Sequence, residues 1–132
     1  MIWAGTNGHG IYTYDGLQWR QYLDGTTIRR LITTADGQIW AGTFGDGIFQ
    51  FDGQKWTQFL EELGESALSV KRSIQTSDGR LWFGTEGWGL YNFDGLQWSH
   101  VNQIATDFRS LTIQGLHQDK QGRIWVVSRD EG

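Results

Sequence analysis

The sequence predicts an all-β fold: a β-propeller of four-stranded antiparallel blades, about three of them plus a partial fourth. Three observations carry that expectation. The pattern Ile-Trp-Ala-Gly-Thr-x-Gly-x-Gly-Ile-x-x-(Tyr/Phe)-Asp-Gly-x-x-Trp runs three times with small changes, starting at Ile2, Ile39 and Leu81, and a fourth copy begins at Ile124. These starts lie 37, 42 and 43 residues apart, the period of a blade repeat. A second Trp follows the first at a constant offset in Trp3/Trp19, Trp40/Trp56 and Trp82/Trp98, so each ring meets the same cross-strand neighbours. Finally, 19 Gly and no Pro suit many tight hairpins, while eight Trp, seven Phe and four Tyr supply large buried surfaces.

The strands follow from the turns between them. Residues 2–6, 39–43 and 81–85 are short apolar runs that end at Gly-rich loops, as buried strands do. Residues 10–14, 47–51 and 89–93 come next, and Asp15-Gly16, Asp52-Gly53 and Asp94-Gly95 supply positive-φ hairpin turns. Outer strands are expected over 19–23, 56–60 and 98–101. A fourth strand precedes each Trp run, over 28–34, 70–76 and 113–118, turned back by Asp36-Gly37, Asp78-Gly79 and Gln121-Gly122. This strand is placed innermost, beside a central channel.

The blade parts are therefore 2–23, 28–60, 70–101 and 113–128, in one propeller segment spanning 1–132. Unequal connections account for the unequal periods, and Glu61-Glu62-Leu63 can make a helical turn in one of them. Propellers generally need at least four blades, each covering the apolar face of its neighbour. The expectation is a segment of a longer propeller whose remaining blades complete the ring. Self-association that closes a ring is the alternative.

Composition narrows the class. The chain has 132 residues, a formal net charge of −4 and no cysteine. That speaks against a broad nucleic-acid footprint and rules out disulfides and thiolate metal sites. No signal-like or membrane-length apolar run lies in these residues, so no membrane contact is expected from this segment. The chain opens inside a strand, so any such signal is expected upstream. Catalytic fingerprints of the Gly-x-Ser-x-Gly, phosphate-loop and dinucleotide kinds are absent. His9, His100 and His117 fall at different places in different repeats, which argues against a shared metal site. His117 aligns with Ile32 and Ile74 and reads as a core or channel residue. No cofactor and no enzymatic activity are expected. The recurring Asp15, Asp52 and Asp94 mark turn formation rather than catalysis.

The units Asp36-Gly37-Gln38-Ile39-Trp40-Ala41-Gly42-Thr43 and Asp78-Gly79-Arg80-Leu81-Trp82-Phe83-Gly84-Thr85 resemble the two-component regulator propeller repeat. The match continues through Gly47-Ile48-Phe49-Gln50-Phe51-Asp52 and Gly89-Leu90-Tyr91-Asn92-Phe93-Asp94. The fourth copy, Ile124-Trp125-Val126-Val127-Ser128, departs from it by losing the Gly-Thr pair. The resemblance implies the extracytoplasmic sensor part of bacterial signalling proteins, often hybrid histidine kinases, whose propellers commonly respond to carbohydrates. No kinase or receiver segment lies in these residues, and signalling output is implied by resemblance alone.

If the constant residues build blades, the varying ones carry recognition. The loop after each Trp strand has the form x-Gly-x-Gly. Its first variable position holds Asn7, Phe44, Glu86 and Arg129, and its second holds His9, Asp46, Trp88 and Glu131. Such a ring can bind a glycan: Trp88 stacks on a sugar face, and His9, Asp46, Glu86 and Glu131 meet its hydroxyls. The alternative is that these loops drift and their side chains are merely solvated. A second candidate set is Arg30 and Arg72, within Arg29-Arg30 and Lys71-Arg72 at the start of two inner strands. One residue of each pair is expected to face the channel and attract an anionic ligand such as an acidic glycan. Salt bridging between blades, for example to a turn Asp, is the structural alternative. Two other functions remain open: a protein-interaction scaffold, and a lyase or glycosidase propeller needing His9 to converge with Glu86 or Glu131.

Overall fold

The computed structural model describes residues 1–59, 63, 67–101 and 112–129. Among them thirteen strands run in chain order. They are β1 (Ile2–Gly5), β2 (Ile11–Tyr14), β3 (Trp19–Tyr22), β4 (Ile28–Thr33), β5 (Ile39–Thr43), β6 (Ile48–Phe51) and β7 (Trp56–Phe59). The remainder are β8 (Val70–Gln75), β9 (Leu81–Thr85), β10 (Leu90–Phe93), β11 (Trp98–His100), β12 (Ile113–Gln118) and β13 (Ile124–Ser128). They form four antiparallel meanders: β1-β2-β3, β4-β5-β6-β7, β8-β9-β10-β11 and β12-β13. The inner strands β4, β8 and β12 lie beside one another. The sheets are the blades of a partial, unclosed propeller: among the described residues β1 pairs only with β2, and β13 only with β12. Of the helical turn expected at 61–63, only Leu63 lies within the described residues, and it is buried.

Each sheet rests on the next through an indole. Trp40 is fully buried, stacked on Phe59 of its own sheet and set against Phe83, Phe93 and Trp98 of the following one, with centroids 5.3–6.0 Å away. Trp3 does the same against Tyr22, Phe51 and Trp56, and Trp82 packs, with Leu116 and Val126, against the buried Leu90 and Ile113. Burying a ring of this size removes roughly 150–250 Å² from water, on the order of 4–6 kcal/mol. The constant offset between the two Trp of a repeat is thereby explained. Trp98 stands edge-on to Trp40 at 74°, as Trp56 does to Trp3 at 73°. An indole edge facing a π cloud is favourable geometry, and among the described residues the buried Nε1 atoms of Trp56 and Trp98 have no hydrogen-bond partner.

The glycine of each Gly-Thr pair is a steric requirement. A Cβ on Gly5 would lie 2.7 Å from Ile28 Cγ2, one on Gly42 2.7 Å from Val70 Cγ1, and one on Gly84 2.5 Å from Ile113 Cγ2. In each case the intruder is the first residue of the following inner strand. The fourth sheet exchanges the sizes: the cross-strand pairs Arg30↔Gly42 and Arg72↔Gly84 become Gly115↔Val127. A Cβ on Gly115 would meet Val127 Cβ at 3.3 Å. Gly115 thus accommodates the valine that replaces the repeat glycine, and Ser128 stays buried where the threonine stood.

The aspartates close turns, as expected. Asp15, Asp52 and Asp94 each accept two backbone N–H groups at 2.8–2.9 Å, from Leu17 and Gln18, Gln54 and Lys55, and Leu96 and Gln97. The glycine after each has φ near 100°, which a side chain disfavours. Asp119 is more heavily used: it accepts from Gln121 N and Arg123 N at 2.9 Å, Arg123 Nε at 2.7 Å and Trp125 Nε1 at 2.8 Å. Donors that favour the ionised form pull a carboxyl pKa down. The indole first, then Arg123 and the backbone, bring Asp119 to about 2, and backbone N–H groups lower Asp15, Asp52 and Asp94.

Two outcomes follow. Gly42→Ala should lose about 1–3 kcal/mol in urea denaturation, an overpacking cost, and most of that loss should vanish in a Val70→Ala background. Because the folded carboxyl pKa values are depressed, their stabilisation is present above the ordinary carboxyl pKa and lost as pH falls through the folded values, about 2 for Asp119. The melting temperature should be level between pH 7 and 5 and drop between pH 4 and 2, less steeply in Asp119→Asn.

Candidate functional site

The x-Gly-x-Gly loops stand at one end of the sheets and the Asp-Gly hairpins at the other. Each loop is closed by the threonine of its own repeat. Thr6, Thr43 and Thr85 Oγ1 donate to the carbonyls of Gly10, Gly47 and Gly89 at 2.7–2.8 Å. The same hydroxyls accept the N–H groups of His9, Asp46 and Trp88 at 3.0–3.2 Å. The backbone N–H of each threonine donates to the same carbonyl at 2.9–3.1 Å, so the hydroxyl adds a second closure to the loop, and the Gly-Thr pair needs no catalytic explanation.

A side chain of the outermost strand holds the same loop from outside. Gln21 Nε2 donates to His9 O at 3.0 Å, Gln58 Nε2 to Asp46 O at 2.9 Å, and His100 Nε2 lies 2.6 Å from Trp88 O. A carbonyl only accepts, so His100 carries its proton on Nε2 there. Its ring also stacks on Tyr91, 4.2 Å away and 8° from parallel. These supports were not anticipated. The only sequence signal was that Gln21, Gln58 and His100 all stand two residues after the outer Trp.

The first variable position turns inward instead. The N–H groups of Phe44, Glu86 and Arg129 donate to Thr27, Ser69 and Thr112 at 2.9–3.0 Å, just ahead of the inner strands. Arg29 sits over the Phe44 ring at 4.5 Å. The first variable position is therefore tied by its backbone to the segment ahead of an inner strand, and the second to the outer strand. Among the described residues no hydrogen bond, ion pair or ring contact joins His9, Asp46, Glu86 and Trp88 to one another. His9 instead lies 3.8 Å from Asp24 of its own unit. The expected ring is a row of separately held side chains, and Glu131 lies outside the described residues. Trp88 is 41% exposed and Phe44 52%, which places two aromatic faces on neighbouring loops.

Arg30 and Arg72 occupy the inner strands as expected, and among the described residues no interblade salt bridge holds them. Both point at one carbonyl: Arg30 Nε donates to Lys71 O at 2.7 Å and Arg72 Nη1 to the same oxygen at 2.8 Å. Strict alternation of their neighbours is broken, because a register shift between Ile28 and Arg30, repeated between Val70 and Arg72, marks a β-bulge in each inner strand. His117 is exposed, which settles it outside the core. The clefts of about 240 and 380 Å³ open on the hairpin face, around Gln38, Gln50 and Gln75 and around Trp3 and Asp52, and touch none of these candidates.

Comparison with known proteins agrees with this architecture. Residues 64–87 and 107–130 match the family described as Two component regulator propeller. No curated protein matches. The extracellular domain of a hybrid two component system from B. thetaiotaomicron is 26% identical, with a TM-score of 0.71 over 94% of this chain and 18% of that one. The extracellular domain of a one component system from the same organism is 20% identical, with a TM-score of 0.54 over 96% of this chain and 25% of that one. YCF48, solved bound to D1 peptide, is 19% identical with a TM-score of 0.61, covering 93% and 42%. The last two show the fold alone. This chain spans about a fifth of the length of the first.

The division between scaffold and rim is measurable. Trp88→Ala should change stability by no more than about 0.5 kcal/mol, as surface substitutions do, whereas Trp40→Ala should cost about 3–5 kcal/mol. Paired chemical denaturation curves check both.

Proposed function

We propose that the chain is a ligand-sensing, non-enzymatic segment of a bacterial two-component-type signalling protein that recognises a carbohydrate on its loop face. The observation that carries this reading is the Trp88 ring. It is exposed on a loop braced on both sides, by Thr85 through its N–H and by His100 at its carbonyl. An exposed indole on a rigid support is the platform that the apolar face of a sugar ring requires, and rigidity lowers the entropy lost on binding. Asp46 and Glu86 offer acceptors for hydroxyls, and His9 offers a donor or acceptor on the first unit. Similarity to the extracellular domain of a hybrid two component system supports an extracytoplasmic setting.

The two open ends fit further blades of the same repeat type. Trp125, 57% exposed, stands where Trp3 and Trp40 meet the next sheet. Trp19, 58% exposed and stacked on Tyr14 at 4.8 Å, stands where Trp56 and Trp98 receive such a ring. Remaining blades of a parent chain are the occupants proposed here.

A glycan array followed by titration calorimetry tests the ligand reading. The expected result is a saturable oligosaccharide hit that Trp88→Ala weakens by about tenfold or more, with stacking on one ring worth roughly 0.5–1.5 kcal/mol beyond its buried area. No hit on the array, or a hit indifferent to Trp88→Ala, sinks it. Capture of one specific protein partner without a glycan favours the scaffold alternative.

A further inference from the structure

The inner strands hold a site independent of Trp88 and of the glycan reading. Arg29 and Arg30 on β4 and Lys71 and Arg72 on β8 bring four cations onto neighbouring strands in a chain whose net charge is −4. Among the described residues none has a carboxylate oxygen within 4.0 Å; the ion pairs there are His9–Asp24, Arg80–Asp78 and Arg123–Asp119. Charges of one sign gathered without counter-charges repel. Partial burial, followed by the neighbouring charges of Arg72 and Arg29, holds the Arg30 guanidinium below its ordinary pKa.

The backbone explains how the cluster persists. The bulge in β8 leaves Lys71 outside the regular pairing, and its carbonyl accepts both guanidiniums, from Arg30 at 2.7 Å and Arg72 at 2.8 Å. A further bond runs from Arg30 Nη1 to Arg29 O at 3.4 Å, and Arg29 is itself placed over Phe44. Every guanidinium carries five N–H donors in a fixed fork. Among the described residues these bonds engage only a few of the donors of Arg30 and Arg72, on side chains that solvent reaches. The third inner strand has Gln114-Gly115 at the equivalent places, so the cluster belongs to one junction and is not a feature of every blade.

We propose that Arg30 and Arg72, tethered side by side on the Lys71 carbonyl, form a clamp for a multiply charged oxyanion, the phosphate or sulfate group of a ligand entering from the loop end. Paired guanidiniums match tetrahedral oxyanions through bidentate charge-assisted hydrogen bonds, and Lys71 and Arg29 add charge around them. The anion supplies the counter-charge that is absent among the described residues.

Titration with sodium pyrophosphate and, separately, sodium sulfate tests the clamp. The Nε–H resonances of Arg30 and Arg72 are followed by NMR at constant ionic strength, with sodium chloride as reference. Saturable shifts at both arginines are expected with at least one of the two anions and none with chloride. Arg30→Gln or Arg72→Gln should weaken binding about tenfold, the loss expected of a charge-assisted hydrogen bond. Arg20→Gln removes the same charge from the exposed β3 and should leave the affinity within a factor of two or so. Arg30→Lys keeps charge and fold but loses the fork, and should bind several-fold more weakly. No saturable shift with either anion, equal weakening by Arg20→Gln, or full affinity in Arg30→Lys each overturns the clamp.

Discussion

The structure depends on how closely one sheet approaches the next. At Gly5, Gly42 and Gly84 the backbone of the middle strand lies against a β-branched side chain that opens the following inner strand. That approach is what lets the indole of the neighbouring residue reach across: Trp40 touches Phe83, Phe93 and Trp98 because Gly42 beside it keeps nothing in the way. Interiors packed this densely tolerate little volume change. The pair Trp-x-Gly is therefore a single device, in which a missing side chain permits contact and a large one exploits it.

With the sheets held this way, variation is free only where the contact ends. The loops beyond Thr6, Thr43 and Thr85 keep their shape through the threonine hydroxyl and through a side chain of the outer strand. Neither support depends on which side chain fills the intervening positions. Asn7, Phe44 and Glu86, or His9, Asp46 and Trp88, can thus change without disturbing the blade. Recognition on loops carried by a rigid frame has this general logic, and here the frame's hydrogen bonds to those loops are visible one by one.

Strand identity, strand order and the placement of the inner strand were legible in the residues, because a repeat shows its own boundaries. Predicted edges ran one residue long at several places, such as Thr34, Thr76 and Gly10, where a side-chain or loop hydrogen bond takes over from the ladder. What could not be read was direction within the loop. Asn7 and His9 are two residues apart, yet their equivalents turn to opposite sides, because Thr27 binds the backbone of one and Gln58 that of the other. The bulge at Arg29 and Lys71 was equally hidden. Alternation predicts opposite faces for Arg29 and Arg30, and only the register of β4 on β5 reveals the extra residue. Arg30 and Arg72 are a related case: among the described residues they meet no carboxylate, and a carbonyl freed by the bulge accepts both.

The fourth sheet shows how much the steric device constrains whatever meets it. Val127 occupies the place of Gly5, Gly42 and Gly84, and Gly115 across from it is the compensating deletion. The exchange preserves volume within the sheet but not at its outer face, where Val127 stands half exposed beside Trp125. A following inner strand beginning with isoleucine or valine, as the other three do, would need to occupy space that Val127 now fills. A sheet that covers Trp125 in the manner of the earlier junctions must therefore bring a small residue to that point, or cross at a greater distance and lose part of the indole's contact. The departure from the repeat is thus a complementarity rule, stated in one side chain, for the surface that lies against it.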